Sequence, residues 1–408
     1  MVSLALCGGP PVRPRPYAPW PSPTTTTRKA LVAAHDSGVW WQDGNSAAEP
    51  LETWLAAEFG HPAVAVSSGT TALELALAAL SIGRGDEVLV PATTFISSAT
   101  AVSRVGAQPV PVDVTADSLT LDLEAAAAAL TSRTRAVLLV HLAGHPADLT
   151  GIGRLAERHR LAVVEDAAHA LAAAWDGIRI GTVSDATTLS FQAAKLLAGG
   201  DGGAVILRDE DTARRVRMLA NCGRERGSGS YDHTLTGTNA RIHPLAAALV
   251  MAQTPWYPRA RQTRAHHHQA LGAALDEQVE KELLVGPVPQ ATVHDHYAAL
   301  LRVPRYLAER GITAGTLAKA LSAERIPAKP LFPPWQSVPA YQTDDRARSA
   351  HTPTAAQAAI GVVALPHHVL LDPHAPEQIT AALAKTVAAA DSLAAWQDQH
   401  MPPPPDPA

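Results

Sequence analysis

Two kinds of hydrophobic pattern alternate along the chain. Short apolar runs closed by small or polar turn residues occur at Ala63–Ser67 (AVAVS), Ala136–His141, Leu161–Val164, Thr187–Phe191 and Ala204–Leu207. Buried parallel strands read this way, because both faces of such a sheet are covered. Between them lie segments with helical spacing: Thr27–Ser37, Ala47–Phe59, an Ala/Leu-rich stretch ending at Leu80, Glu124–Leu130 and Asp211–Ala220. Asp86–Val114 holds strand, loop, helix and strand in turn, a βαβ unit with short connections. The alternation predicts an α/β fold. From about Arg264 the pattern changes: helices at Ala265–Glu282 and Thr316–Arg325 surround a strand near Ala298–Val303, which predicts a smaller C-terminal α+β domain. The expected divisions are an extended Pro-rich arm over 1–27, a large domain over 28–263, a small domain over 264–395 and a disordered tail over 396–408. In the arm, Tyr17 and Trp20 are large for a free tail, so docking on the body or on a partner subunit stands beside disorder.

Chemistry in open α/β sheets collects at the carboxyl ends of the strands. The run Leu161–Val164 leads into Glu165, Asp166 and then His169, while Thr187–Phe191, which contains Ser190, precedes Lys195 and the glycines 199, 200, 202 and 203. An acid, an imidazole and an amine should therefore meet in one crevice. A carboxylate at a strand end is costly unless a cation meets it, and lysine is seldom buried without a reason. The bland alternatives are a cap or surface ion pair for Asp166 and a solvated loop for Lys195. The trio fits pyridoxal phosphate, which needs an amine for its Schiff base and a carboxylate to keep its ring nitrogen protonated. The stretch between Asp166 and Lys195 has room for one crossover, so the two can sit on neighbouring strand ends.

Other candidates are weaker alone. The Ser-Gly-Thr turn before the helix ending at Leu80 offers backbone N–H groups and hydroxyls to a phosphate, although an ordinary N-cap accounts for the same residues. Phe95, in the loop after the first strand of the βαβ unit, can stack on a flat ring or simply fill the core. His141 and His145 lie at or near a strand end and are second-tier candidates to face substrate, with a structural role as the alternative. Adjacent Trp40 and Trp41 cannot both face one core, so one is expected to line a pocket. The GGDGG stretch is neither a dinucleotide fingerprint nor a Walker A loop.

Composition narrows the class. In 408 residues, 47% hydrophobic and 17% charged, the net charge of −5 leaves no footprint for nucleic acid or an anionic membrane. Cys7 and Cys222 are too few for a disulfide framework, and no apolar run approaches the ~20 residues of a membrane span. The N-terminus lacks the charged and apolar regions of a signal peptide, so a cytoplasmic protein is expected. His266, His267 and His268 follow a helical pattern in which consecutive side chains point apart and cannot chelate together. These and His294, His296, His367 and His368 are expected to be solvated or to face substrate, with no metal.

The segments VEDAAHA and SFQAAK resemble the DegT/DnrJ/StrS sugar aminotransferase family of fold-type I pyridoxal-phosphate enzymes. The resemblance runs from roughly Gly8 to near Ala390. It sits closest to the branch holding 3-amino-5-hydroxybenzoate synthase and the keto-cyclitol aminotransferases. It implies a large domain with a mostly parallel seven-stranded sheet flanked by helices. It further implies Lys195 as the Schiff-base lysine, Asp166 at the ring nitrogen, His169 near the ring and its phenolic oxygen, and Phe95 over the cofactor. Gly69 and Thr70 would hold the phosphate, with Ser190 also binding cofactor. Asn239 would reach the phosphate of a neighbouring subunit across a homodimer interface, with Arg241 a weaker candidate, and Ala364–Pro373 would fold back toward the site. The implied reaction moves an amino group from L-glutamate or L-glutamine to a keto-sugar or keto-cyclitol in antibiotic-type metabolism. The alternatives are a dehydratase or aromatase using the same lysine, and a non-catalytic partner subunit, against which the intact Asp166 and Lys195 stand.

Overall fold

The structure is a computed structural model that describes residues 3–41, 46–225 and 231–401. Its strands begin with β1 (Ala63–Val66), β2 (Glu87–Pro91), β3 (Gln108–Val112), β4 (Thr134–Val140) and β5 (Ala162–Asp166). A short ribbon of β6 (Ala174–Trp175) and β7 (Ile178–Arg179) precedes β8 (Ala186–Ser190) and β9 (Gly203–Leu207). Then come β10 (Ala298–Arg302), β11 (Lys329–Pro330) and β12 (Val362–Pro366). Among the described residues, a seven-stranded sheet runs β3-β2-β4-β5-β8-β9-β1. Its strands are parallel except β9, which lies antiparallel to both β8 and β1. The expected mostly parallel sheet is present.

Alternation along the strands splits the hydrophobic side chains between two faces. Val64, Val88, Leu138, Val164 and Val205 share one core with α3 (Gly69–Ala79) and α4 (Ser97–Arg104), for which the chain has already supplied α1 (Thr25–Asp36) and α2 (Ala48–Phe59). Ala65, Leu89, Leu139, Val163 and Ile206 pack the other face, against Leu51 and Leu55 of α2. A second, antiparallel sheet, β10-β12-β11, has its own core with Leu271, Leu317 and Leu383 from the helices Tyr257–Gln278, Ala314–Ala323 and Ala375–Ala388. No helix among the described residues is long and apolar enough to cross a membrane.

Several expectations change. The long helix starts at Tyr257 rather than Ala265, so the 263/264 division falls inside it. Pro258 stands in its first turn, where proline is tolerated because the N–H it lacks would have no partner. The exposed Trp40 and Trp41 neither fill the core nor line the main cavity, at 53% and 52% accessibility. Trp40 Nε1 donates to the His35 carbonyl at 2.9 Å, and the Arg241 guanidinium lies 5.7 Å from the Trp41 ring. Residues 42–45 of that stretch and residues 226–230 lie outside the described residues. The expected tail over 396–408 is helical as far as His400, and 402–408 lie outside the described residues.

The N-terminal arm docks on the body. Leu4 is buried in the smaller core. Glu324, fully buried, accepts from the N–H groups of Ala5 and Val12, both at 2.8 Å, and pairs with Lys385 at 2.8 Å. Arg13 pairs with Asp372 at 2.7 Å and lies over the Tyr17 ring. Cutting back Glu324 would leave two buried backbone donors and a largely buried ammonium without their acceptor. Glu324→Ala is therefore expected to lower stability by about 3 kcal/mol and to speed chymotryptic cleavage after Tyr17. Urea unfolding and timed proteolysis measure the two effects, and a wild-type profile in both would show the arm to be held elsewhere.

Candidate active site

The carboxyl ends of β5 and β8 are neighbours, with Asp166 in register with Thr188. Two acidic residues end β5, and strand alternation separates them. Asp166 faces a cavity of about 470 Å³, which also receives Ser68, Gly69, Thr70, Phe95, His169, Ser190 and Lys195. Glu165 points to the opposite side, where His141 Nε2 meets it at 3.0 Å and the Gly181 N–H at 2.8 Å. Both His141 and Glu165 are fully buried. His141 is thus a structural ligand of Glu165, and its Nδ1 accepts from the Ala147 N–H. His145 is structural as well: Nδ1 donates to the Pro146 carbonyl at 2.7 Å and Nε2 accepts from Val288 N. Neither histidine lines the cavity.

Asp166 is only 8% exposed, and its oxygens are met by Ser98 Oγ at 2.9 Å and the Ala168 N–H at 3.1 Å. Ser98, on the first turn of α4, has no sequence pattern that singles it out. Lys195 stands on the turn after β8, its exposure directed to the cavity. Burial lowers its pKa from 10.5 to about 8 against the opposing pull of the Asp166 carboxylate. Its Nζ lies 5.0 Å from the centre of the Tyr297 ring. His169 stacks parallel to Tyr297, their ring centres 4.0 Å apart. Burial first, then the charges of Lys195 and His367, hold His169 well below the usual imidazole range.

The turn from β1 into α3 closes one end. Ser68 caps the helix by accepting from the Thr71 N–H at 3.1 Å. The N–H groups of Gly69 and Thr70 occupy the first turn, where no carbonyl lies one turn back to bond them. Thr70 Oγ1 contacts Ser97 Oγ at 2.8 Å. A Cβ on Gly69 would stand 2.8 Å from the Ser190 Cβ, so only glycine leaves this cradle open. At the mouth, Phe95 is half exposed and meets Phe332 edge to face at 5.9 Å.

A second lobe of about 660 Å³ adjoins the first, sharing His169, Gln192, Tyr297 and Phe332 with it. Trp20, Leu331, Pro366, His367 and His368 line it, so Ala364–Pro373 does return to the site. Trp20, expected to dock, and His367, expected to be solvated or to face substrate, both line this lobe, whereas Tyr297 and Phe332 escaped sequence reading. Their approach depends on the docked arm and on the second sheet, which leave no local motif. Asn239 is exposed and lines neither lobe, and Arg241 Nη1 instead donates to Asn221 Oδ1 at 2.8 Å. The remaining histidines divide: His268, His294 and His296 are buried together beside His145 rather than solvated. Burial drives all three below the usual imidazole range.

Pyridoxal phosphate fits the inner lobe on three observations. The glycine cradle puts free N–H groups at a helix N-terminus, where a phosphate is favoured. The amine is depressed to about 8 within the same cavity. His169 Nδ1 is buried with no hydrogen-bond partner among the described residues. Because the Lys195 pKa is lowered, its neutral, nucleophilic form is half populated near pH 8 and grows above it. In the cofactor-free protein, modification of this amine by trinitrobenzenesulfonate should rise with a midpoint near pH 8. A midpoint near that of free lysine would remove the depressed amine from the site.

The sequence profile of the DegT/DnrJ/EryC1/StrS aminotransferase family matches residues 22–384. The chain is 37% identical over 302 residues to the 3-amino-5-hydroxybenzoate synthase of Amycolatopsis mediterranei, covering 72% of this chain and 76% of that protein. It is likewise 37% identical over 343 residues to the L-glutamine:2-deoxy-scyllo-inosose aminotransferase of Streptomyces lividus, covering 79% of each. A crystal structure of 3-amino-5-hydroxybenzoic acid synthase superposes with a TM-score of 0.84 at 33% identity, covering 91% of this chain and 98% of the other. The chain therefore belongs to the DegT/DnrJ/EryC1/StrS family and is a pyridoxal-phosphate-dependent aminotransferase.

Proposed function

We propose that the chain transfers an amino group from L-glutamine or L-glutamate to the ketone of a keto-cyclitol or keto-sugar in antibiotic-type biosynthesis. The observation that carries this reading is the buried amine of Lys195 and the hydrogen-bonded carboxylate of Asp166 in one cavity, at neighbouring strand ends. When bound, pyridoxal phosphate supplies an electron sink for the carbanion formed at the donor carbon. Lys195 Nζ is the group that would hold the cofactor. In the loaded enzyme Lys195 Nζ would take the proton from the donor α-carbon and, in the second half-reaction, give one to the acceptor carbon. A pKa of about 8 leaves enough of both forms near neutral pH for each transfer. Asp166 keeps the ring nitrogen protonated, and the bonds from Ser98 and Ala168 fix its orientation. Gly69 and Thr70 would hold the phosphate at the start of α3 with Ser190 beside them, Phe95 would cover one side of the ring, and His169 would lie near its phenolic oxygen.

Relatives named as L-glutamine:2-deoxy-scyllo-inosose aminotransferases support the cyclitol acceptor and the glutamine donor. Similarity to 3-amino-5-hydroxybenzoate synthase favours a second reading, in which the same lysine removes a proton and water leaves a cyclic aminoketone. With 2-deoxy-scyllo-inosose and glutamine as probes, amination should consume donor and give a product carrying nitrogen in place of oxygen. Loss of water from an aminoketone without donor consumption would select the second reading. Lys195→Ala is expected to abolish either reaction and the visible absorbance of the loaded protein, and a variant that still turned over would overturn the assignment.

The enzyme acts as a homodimer with shared sites. Asn239 is exposed and away from its own cavity, and Trp40, Trp41 and Tyr231 are exposed aromatics available for an interface. In this arrangement Asn239 contacts the phosphate bound by the other protomer. Lys195→Ala and Asn239→Ala homodimers, each impaired, should regain activity when subunits are exchanged, because one site of each hybrid has both residues intact. Hybrids that stay inactive would put Asn239 and Lys195 in the same protomer's site or remove Asn239 from it.

A further inference from the structure

Two side chains from distant parts of the chain converge on consecutive carbonyls of the turn that bears Lys195. The indole Nε1–H of Trp20 donates to the Lys195 carbonyl at 3.1 Å, and His367 Nε2 meets the Ala194 carbonyl at 3.1 Å. A carbonyl only accepts, so the imidazole carries its proton on Nε2. Burial, with the nearby charge of Arg264, holds His367 well below the usual imidazole range and so keeps it neutral. The two rings touch edge to face at 4.7 Å. Trp256 stacks behind Trp20 at 5.9 Å, and Tyr297 lies along His367 at 5.5 Å. Trp20 and His367 also line the outer lobe. The roles assigned above use neither residue.

We propose that Trp20 and His367 are positioning residues that clamp the Ala194–Lys195 main chain and thereby set the depth of the lysine amine, and that Trp20 is also a wall against which the acceptor packs. The inference rests on Lys195 being the cofactor lysine. Within the turn, Lys195 N bonds Gln192 O at 2.8 Å, Ala194 N bonds Gln192 Oε1 at 2.7 Å and Ala193 N bonds Gly200 O at 2.9 Å; the carbonyls of Ala194 and Lys195 are held by the two clamp residues. Both clamp residues come from outside it, one on the docked arm and one just after β12. Released from them, the turn can lift toward the cavity mouth. The amine is then better hydrated, and because burial is what lowers its pKa, that pKa rises.

The test separates the donor from the ring. Trp20→Phe removes the N–H and keeps an aromatic wall, whereas Trp20→Ala removes both. His367→Gln keeps a donor that His367→Ala lacks. The readouts are the amine-modification midpoint of the cofactor-free protein, the pH titration of the visible band of the loaded protein, and separate kcat and KM values. Trp20→Phe should move the amine midpoint upward by about one unit, a tenfold change in neutral fraction below it. The same variant should lower kcat about 10-fold with acceptor KM within about twofold, and Trp20→Ala should raise acceptor KM as well. His367→Gln should recover most of what His367→Ala loses. Should the Trp20 variants fail to fold, the His367 pair decides by the same midpoint. Wild-type midpoints and kcat in Trp20→Phe, or no difference within the His367 pair, overturn the clamp. Lys195→Ala is the control: a visible band that survives it defeats the assignment of the lysine, whereas a lost band beside unchanged clamp variants defeats this inference alone.

Discussion

A carboxylate at the buried end of a hydrophobic strand is costly unless donors meet it, and the neighbourhood of Asp166 is organised by that cost. Ser98 and the Ala168 N–H meet its oxygens, which requires α4 to start where the loop after β2 reaches the sheet edge. Thr94 reinforces the arrangement through its 2.8 Å contact with Ser98. Lys195 then feels two opposed influences, burial and the Asp166 charge, and burial wins. An amine that stays mostly protonated would be a poor nucleophile, and one fully desolvated could not hold a proton to return. The site lies between these limits because two groups of opposite charge share a cavity without lying in direct contact.

That geometry depends on parts of the chain far from the sheet. The arm is fastened to the smaller core by Leu4, Glu324 and Arg13 before it reaches Trp20. The long helix from Tyr257 carries Arg264 into the interior, where its Nε donates to the Asp295 carbonyl. Asp295 in turn accepts from the N–H groups of Leu171 and Ala172, just after the His169 loop. The second sheet therefore braces the loop that presents His169 as well as supplying Tyr297 and His367 to the outer lobe.

Much of the framework was legible because buried strands and their closing turns are local patterns. Asp166, Ser190 and Lys195 fell together because strand ends in a parallel sheet share one edge. Glu165 and Asp166 look alike in the sequence, and only the alternation of a strand with known ends divides them. The early start of the Tyr257 helix was hidden for a different reason. Its buried stripe includes Arg264 and His268 beside Tyr257, Ala260, Leu271 and Leu275, so the apolar period is broken by polar residues that tertiary contacts satisfy or neutralise. His141 and His145 were drawn toward the site by their strand-end position, yet their partners, Glu165 and the Val288 N–H, lie on the far side or in another segment. The bonds made by Trp20 and His367 could not be found locally, since each is to a carbonyl more than a hundred residues away.

The one antiparallel strand of the seven-stranded sheet, among the described residues, has a consequence for what this scaffold tolerates. Because β9 lies between β1 and β8 and runs against them, it begins at the edge where they end. The Ser68–Gly69 peptide must pass over that beginning to reach Ser190, and it does so across Gly203, where a Cβ would stand 2.5 Å from the Ser68 carbonyl. Gly69 faces the same restriction from the other direction. Any redesign of the pocket thus inherits a fixed crossing of two bare backbones, and new side-chain volume has to be added on the Phe332 and His368 flank instead.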